Sequence, residues 1–546
     1  MTTHRLLTAA LVPALLAFAA CEGQPGGDPT GNGGNGNGNG SNGGSTGVAG
    51  SGTGAAGTTG AAGTTGAAGT TGAAGTTGAA GTTGAAGTGT VGSAGTTGAA
   101  GSGAAGTTGT AGRGGASGTG TAGSGNAGRG GAAGSGTAGT GTAGSGATGA
   151  AGSTGAGTYN PNFKEFYGDD CQVATPKDVN LTELPDLFQK LDGTRMTKKS
   201  DWRCRRAELK KIVETYIHGA KPARPTTVTG SVSSSQIKVH VAEGSKTIDF
   251  TVSVSLPSGA TGPVPAVIEL GSSSLDAFIK GEGVATLGYN HGQIASETAR
   301  TGYFTTIVGT TGASAQVGWA WGVSRIIDVL VDEKAAGRNN IIDPTAIGVT
   351  GCSRNGKGAF TVGAFDERIA LGIPQESGTG GVSAFRVVNT KPVGPNGNPA
   401  QSLDSAWTEA QGWFGTVFGT YRSKVNTIPG DTHSLVAMYA PRGLLVLDNS
   451  RIGELGASAQ HAASAAGQRV YDALGVGKNI EYHGGNTTDP HMHCMFYQSQ
   501  QEPLRRAIQA HLTKKAAADG RIAPAAVATA DLAKWVPWTA PALTND

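Results

Sequence analysis

The chain has 546 residues, 96 of them Gly, and a formal net charge of +3. A balance this close to neutral, with no Lys/Arg stripe to follow a phosphate backbone, excludes a dedicated nucleic-acid binder. The glycines crowd the region before Thr158, whereas Thr158–Asp546 has ordinary globular composition and is long enough to bury one large core or two modest ones.

The first element is an export leader over residues 1–20. Arg5 precedes the apolar stretch Leu6–Ala20, which is too short to span a bilayer as a stable helix. Ala19-Ala20-Cys21 leaves two outcomes. Cleavage before Cys21 with lipid on its thiol gives a cell-surface lipoprotein of the bacterial outer-membrane kind, although Phe18 stands three before the Cys where Leu is usual. Cleavage after Ala19 gives a freely secreted chain. Both outcomes predict an oxidising compartment. Cys21 belongs to the leader boundary, and Cys171, Cys204, Cys352 and Cys494 then remain, an even set with three ways to pair.

Residues 21–157 are low-complexity Gly, Ala, Thr, Ser and Asn, with Ala-Ala-Gly-Thr-Thr-Gly recurring from Ala55. So few apolar side chains cannot offset the entropy of ordering the backbone. Almost no Pro and no strict three-residue Gly period rule out collagen. The segment is predicted to be a disordered tether with an r.m.s. span on the order of 60–70 Å.

Residues 158–546 are predicted to form the folded domain. Arg203, Arg205, Arg206, Lys210 and Lys211 read as a solvated helix face rather than a binding patch. Val228–Ser231 and Lys238–Val241 are short β-like runs, and Thr247–Leu256 alternates as a half-buried strand does. Continuous apolar runs follow at Val264–Leu270, Tyr303–Gly309, Ala346–Gly351, Ile369–Ile373 and Leu444–Asp448, with helical periodicity at Ala320–Glu333. Strands alternating with helices predict an α/β fold, a mainly parallel sheet with helices on both faces, whose ligands bind beyond the carboxyl ends of the strands.

One such end carries Gly351-Cys-Ser-Arg-Asn-Gly-Lys-Gly358, between the apolar run Ala346–Gly351 and a helical Ala359–Ala364. A Ser at a sharp strand-to-helix turn is a nucleophile elbow, and a helix N-terminus offers N–H donors to an oxyanion. The usual Gly-x-Ser-x-Gly spacing is broken, because Gly356 lies three after Ser353. Two other readings compete. Gly351–Lys357 fits the first part of a phosphate loop, but Gly358 stands where Ser or Thr should hold magnesium. A plain structural turn would use Ser353 as a helix N-cap.

The surrounding motifs favour the elbow. Gly351-Cys-Ser-Arg-Asn-Gly-Lys-Gly-Ala359 resembles the signature of glucuronoyl esterases, carbohydrate esterase family 15, on the α/β-hydrolase three-layer sandwich. The resemblance extends over most of Pro185–Leu512, through Asp201-Trp-Arg-Cys-Arg-Arg-Ala-Glu208, Trp319-Ala-Trp-Gly-Val-Ser-Arg325, Ile373-Pro-Gln-Glu-Ser-Gly378, Pro441-Arg-Gly443 and His493-Cys494. It implies Ser353 as nucleophile, His493 as base and Glu376 as acid, with Arg354 at the oxyanion. His491 is the fallback base. Asp448, after the later strand, is the alternative acid that general α/β-hydrolase order would place there. It also implies the bridges Cys352–Cys494 and Cys171–Cys204, the first closing a long loop worth roughly 3–5 kcal/mol by loop entropy. Lys357, Gln401 and Glu409 fall on the sugar-contacting positions. Glu454 occupies a place where many members carry Trp, which leaves preference for a 4-O-methyl group open.

The implied reaction is hydrolysis of glucuronic acid esters, as in the lignin–carbohydrate linkages of plant cell-wall glucuronoxylan, without a cofactor. A metal reading of His491 and His493 with Asp489 lacks a further ligand set, so no metal is expected. No protein partner is evident either. The alternatives are an acetyl xylan or other polysaccharide esterase on the same fold, and a non-catalytic carbohydrate-binding surface protein.

Overall fold

The computed structural model describes residues 163–166, 168, 170–486 and 488–546. The leader, Cys21, the tether and the boundary at 158 lie outside the described residues. No helix among those described is long and apolar enough to cross a membrane.

A ten-stranded sheet organises the chain. Its strands are β1 (Thr227–Val232), β2 (Gln236–Glu243), β3 (Lys246–Ser255), β4 (Val264–Leu270), β5 (Ala285–Tyr289), β6 (Ile342–Cys352), β7 (Ile369–Gln375), β8 (Gly443–Leu447), β9 (Ile480–His483) and β10 (Ile522–Ala523). Their spatial order is β1-β2-β3-β5-β4-β6-β7-β8-β9-β10. The first three strands pair antiparallel and β3 meets β5 antiparallel. Every pairing from β5 to β10 is parallel.

Burial follows from this layout. In β3, Ile248, Phe250, Val252 and Val254 face the core while their neighbours face water, as one covered face requires. In β8 every residue is buried, because helices cover both faces. Leu444 and Val446 join one core cluster, whereas Leu445 and Leu447 join another with Leu504 and Ile508. The second face is covered by α2 (Asp276–Gly281) and α8 (Gln498–His511). The first is covered by α4 (Ala315–Ala335), α5 (Arg354–Phe365) and α7 (Ala457–Leu474).

Three local expectations are corrected. Tyr303–Gly309, grouped above with the strand-like runs, forms helix α3 (Tyr303–Val308), with Phe304 and Ile307 buried at a helical spacing of three. Strands β5, β9 and β10 correspond to none of the runs that stand out in the sequence. The basic face of α1 (Asp201–Val213) is solvated only in part: Arg203 and Lys211 are exposed, whereas Arg205, Arg206 and Lys210 are buried. Arg205 donates to the Leu187 carbonyl at 2.8 Å and to Glu208 at 2.7 Å, and Arg206 donates to the carbonyls of Met438 and Ala364. Hydrogen-bonded guanidinium groups can be buried where free ones cannot.

A buried ion network fixes the far end of α5. Asp366, just past that helix, accepts from Arg368 at 2.8 Å and from Ser324 at 2.6 Å. Arg368 also reaches Asp328, which holds Arg325. The opposite end of α5 carries Ser353.

Candidate active site

Strand register decides where the functional groups emerge. Cys352 pairs with Gln375, Gln375 with Leu447, and Leu447 with His483. Ser353, Glu376 and Asp448 are therefore each the first residue beyond one row of the sheet. Each N–H donates to the carbonyl of the last residue on the neighbouring strand, at 3.0 Å for Ser353, 2.7 Å for Glu376 and 2.9 Å for Asp448.

The Ser353 turn is tight. Its φ of 58° and ψ of −124° are rare for a residue with a Cβ. Ser353 makes no side-chain cap bond to α5, so the plain N-cap reading does not describe it. The unusual glycine spacing has a steric cause. A Cβ on Gly351 would lie 2.6 Å from the Asn355 carbonyl oxygen, and one on Gly356 would lie 2.5 Å from the Gln375 carbonyl oxygen. These two glycines let the helix start press against β6 and β7. Asn355, two after the Ser, has room for a side chain, and its amide abuts Gly271 at the end of β4.

His493 and Glu376 are brought together. His493 Nδ1 donates to Glu376 Oε2 at 2.7 Å, and the Cys494 N–H donates to the same oxygen at 2.9 Å. Glu376 is fully buried, while the His493 side chain is 42% exposed. Glu376 and Cys494 also have positive φ, at 46° and 64°. Strain of this kind costs on the order of 1–3 kcal/mol per residue and persists where the surroundings over-determine it. Cys352–Cys494 supplies part of that constraint, with a Cα–Cα distance of 5.7 Å across a separation of 142 residues. Cys171–Cys204 is also formed. The sulfurs beside Glu376 and His493 thus offer no thiolate to a metal.

Asp448 makes other contacts. It accepts from the Tyr482 hydroxyl at 2.9 Å and from the Asn449 N–H at 2.9 Å. Burial pushes its carboxyl up to about 7, against these hydrogen bonds and with help from the Glu376 charge. A group half-protonated near neutrality is a poor counter-charge for imidazolium. His491 accepts from Arg451 at 3.0 Å, and Asp489 accepts from Ser499 at 2.7 Å.

The proposed sugar contacts form one network with Arg354. The Gln401 side chain donates to Glu409 at 2.7 Å across helix α6 (Leu403–Glu409). Glu409 also accepts from Arg354 at 3.2 Å. Lys357 is buried, donates to the Ser377 carbonyl at 2.7 Å and lies 4.7 Å from the Trp413 ring centre. Burial pulls its ammonium down to about 8, opposed by Glu409, lowered further by Arg354 and opposed by Glu297. Glu454 is exposed and its carboxylate accepts from Asn396 at 3.0 Å, while its carbonyl accepts from the Gln401 N–H at 3.0 Å. Sequence reasoning missed Glu297 and Trp413. Trp413, four residues after Glu409, was open to suspicion as an aromatic near a sugar ligand. Glu297 sits in an irregular loop that no periodicity marks.

A strained serine at the carboxyl edge of this sheet, tied by a disulfide to an imidazole that donates to a buried carboxylate, is the apparatus of a serine esterase, and the chain is a carboxylic ester hydrolase of the α/β-hydrolase class. It belongs to the glucuronoyl esterase family. A family model described as fungal glucuronyl esterase matches residues 239–475. A 4-O-methyl-glucuronoyl methylesterase of Neurospora crassa is 38% identical over 370 residues, covering 67% of this chain and 90% of the relative. The crystal structure of a glucuronoyl esterase from Sporotrichum thermophile superimposes with a TM-score of 0.62 at 36% identity, covering 68% of this chain and 100% of that one. A serine-to-alanine variant from the same organism, solved with methyl 4-O-methyl-β-D-glucopyranuronate, gives 0.61 at 35% identity, covering 69% and 100%.

Two predictions follow from this geometry. Glu376→Ala should lower kcat by about two to four orders of magnitude, as loss of an orienting acid does, while Asp448→Asn should stay within about tenfold of the parent; steady-state kinetics on one ester compares them, and the reverse ranking would move the acid to Asp448. Breaking Cys352–Cys494 as the double alanine variant should cut kcat roughly tenfold or more through misplacement of His493 under conditions where near-UV circular dichroism is still native. Activity and dichroism lost together at every denaturant level would reduce the bridge to a folding role.

Proposed function

We propose that the chain hydrolyses esters of (4-O-methyl-)D-glucuronic acid, with Ser353 as nucleophile, His493 as base and Glu376 as orienting acid. The observation that carries this is the His493–Glu376 pair, tied by Cys494 to the residue preceding Ser353. Because Nδ1 donates to Glu376, Nε2 is the acceptor that takes the Ser353 proton. Ser353 Oγ attacks the uronoyl carbonyl. The α5 N-terminus and Arg354 stabilise the oxyanion. His493 returns the proton to the leaving alcohol, and water releases the acyl group by the same steps in reverse. Lys357, Gln401 and Glu409 give charge-assisted or neutral hydrogen bonds to the sugar hydroxyls.

The alcohol departs past His493. In sequence, His493 follows Met492 and precedes Met495 by two residues, and both methionines are exposed, at 56% and 43%. Thioethers pack well against aromatic rings, which supports a bulky aromatic alcohol such as those in lignin–carbohydrate esters of glucuronoxylan. A substrate panel tests the whole reading. Benzyl glucuronate should be cleaved faster than methyl glucuronate, and both faster than the galacturonate epimers. Ser353→Ala should abolish every one of these activities while leaving the fold intact. Preferential release of acetate from acetylated xylan would favour a polysaccharide acetyl esterase instead.

The leader at 1–20 and the tether at 21–157 support action outside the cell, held by lipid on Cys21 or released. Fractionation of expressing cells should find the parent in the membrane and Cys21→Ala in the medium; equal distribution of the two would leave free secretion.

A further inference from the structure

Glu297 lies in the loop between β5 and α3, outside the residues assigned above. Its backbone is locked in place. The Trp319 indole donates to the Ala295 carbonyl at 2.7 Å. The loop closes on itself through the Ser296 N–H to the Thr301 carbonyl and the Arg300 N–H to the Ser296 carbonyl, both at 2.8 Å. Arg300, at a φ of 61°, sends its guanidinium to the carbonyls of Phe414 at 3.0 Å and Gln411 at 2.5 Å. Gly412 approaches so closely that a Cβ there would lie 2.1 Å from the Glu297 carbonyl oxygen.

The side chain then makes two directed contacts. Oε1 accepts from Arg354 Nη1 at 2.7 Å, and Oε2 accepts from the Trp413 indole at 2.9 Å. Trp413 is buried and lies under both cations, its ring centre 5.8 Å from the Arg354 guanidinium carbon and 4.7 Å from the Lys357 ammonium.

We propose that Glu297 is a positioning residue for ester hydrolysis, acting on the reaction through Arg354. Arg354 and Lys357 repel each other beside Ser353, and two carboxylates offset them. Glu409 also holds Gln401 and is offered to the sugar. Glu297 is committed to protein donors, one on each oxygen. Its 2.7 Å bond and the 3.2 Å bond to Glu409 occupy two of the five guanidinium N–H donors and fix the plane of the group. A guanidinium held before substrate arrives needs no reorganisation as oxyanion charge develops.

This inference rests on the esterase reading, and its test separates the two. Full-length parent, Glu297→Ala, Glu297→Gln, Arg354→Ala and the double variants are assayed on benzyl glucuronate. Glu297→Ala should lower kcat about tenfold, with a smaller change in KM. Glu297→Gln, which keeps one acceptor, should recover part of that loss. In the Arg354→Ala background either Glu297 change should cost less than about twofold, because the residue through which it acts is gone. Equal losses in both backgrounds would overturn the proposal, as would loss of thermal midpoint with unchanged kcat. Should the alanine variant fail to fold, the glutamine variant completes the same cycle. A parent chain that leaves glucuronate esters intact would instead sink the functional reading and this inference with it.

Discussion

The active site depends first on strand register. Cys352, Gln375, Leu447 and His483 form one row across β6 to β9, so Ser353, Glu376 and Asp448 leave the sheet at the same level. Adjacent strands are about 4.8 Å apart. Glu376 is thus one strand from the serine and Asp448 two. The disulfide draws Cys494, and with it His493, toward β6. An imidazole held there meets the β7 carboxylate before the β8 one. The choice between two acids then follows from distance along the row and from the donors each one meets. Glu376 accepts two N–H donors on one oxygen. Asp448 is buried with a tyrosine hydroxyl and one backbone N–H, and holds a proton up to about 7.

The strain falls on two members of this row. Ser353 and Glu376 adopt positive φ as they leave the sheet, whereas Asp448, whose N–H is bonded to β9 in the same way, does not. Glycine would relax the backbone there but would supply neither hydroxyl nor carboxylate. The cost falls on the surroundings, on Gly351 and Gly356 and on the buried ions anchoring the distal end of α5.

Much of this was legible in the sequence, for physical reasons. Buried parallel strands need continuous apolar runs, so β4, β6, β7 and β8 announced themselves, and with them the edge where chemistry would lie. The elbow was visible as small residues between a strand and a helix, although its glycine spacing matched no general motif. Gly356 serves at three after the serine because that is where the helix backbone meets the Gln375 carbonyl. Other features were hidden. Strand β5, Ala-Thr-Leu-Gly-Tyr, is too short and mixed to stand out. Arg205 and Arg206 read as solvated because charge usually is, and only tertiary contact shows the carbonyls that receive them. Glu297 has no local signature, since its partners lie 57 and 116 residues away.

Glu454 shows how such a site can vary without losing its form. It stands where the family resemblance leads one to expect Trp, on the 3-10 turn Gly453–Leu455 beyond Asp448. Its link to Gln401 is made by its backbone, whose carbonyl accepts the Gln401 N–H at 3.0 Å. That bond is indifferent to the side chain. Gln401 is placed further by Thr379, which donates to its carbonyl at 2.7 Å, and by Glu409, which accepts from its amide. The exposed Glu454 carboxylate is held by Asn396. The apolar face an indole would bring is replaced by a charged acceptor, while the hydrogen-bonding positions of Gln401, Glu409 and Lys357 stay fixed. Substitution at 454 therefore leaves the backbone bond to Gln401 and the groups at Ser353, Glu376 and His493 untouched, so the side chain on this turn is free to vary while the hydrogen-bonded frame beside it is kept.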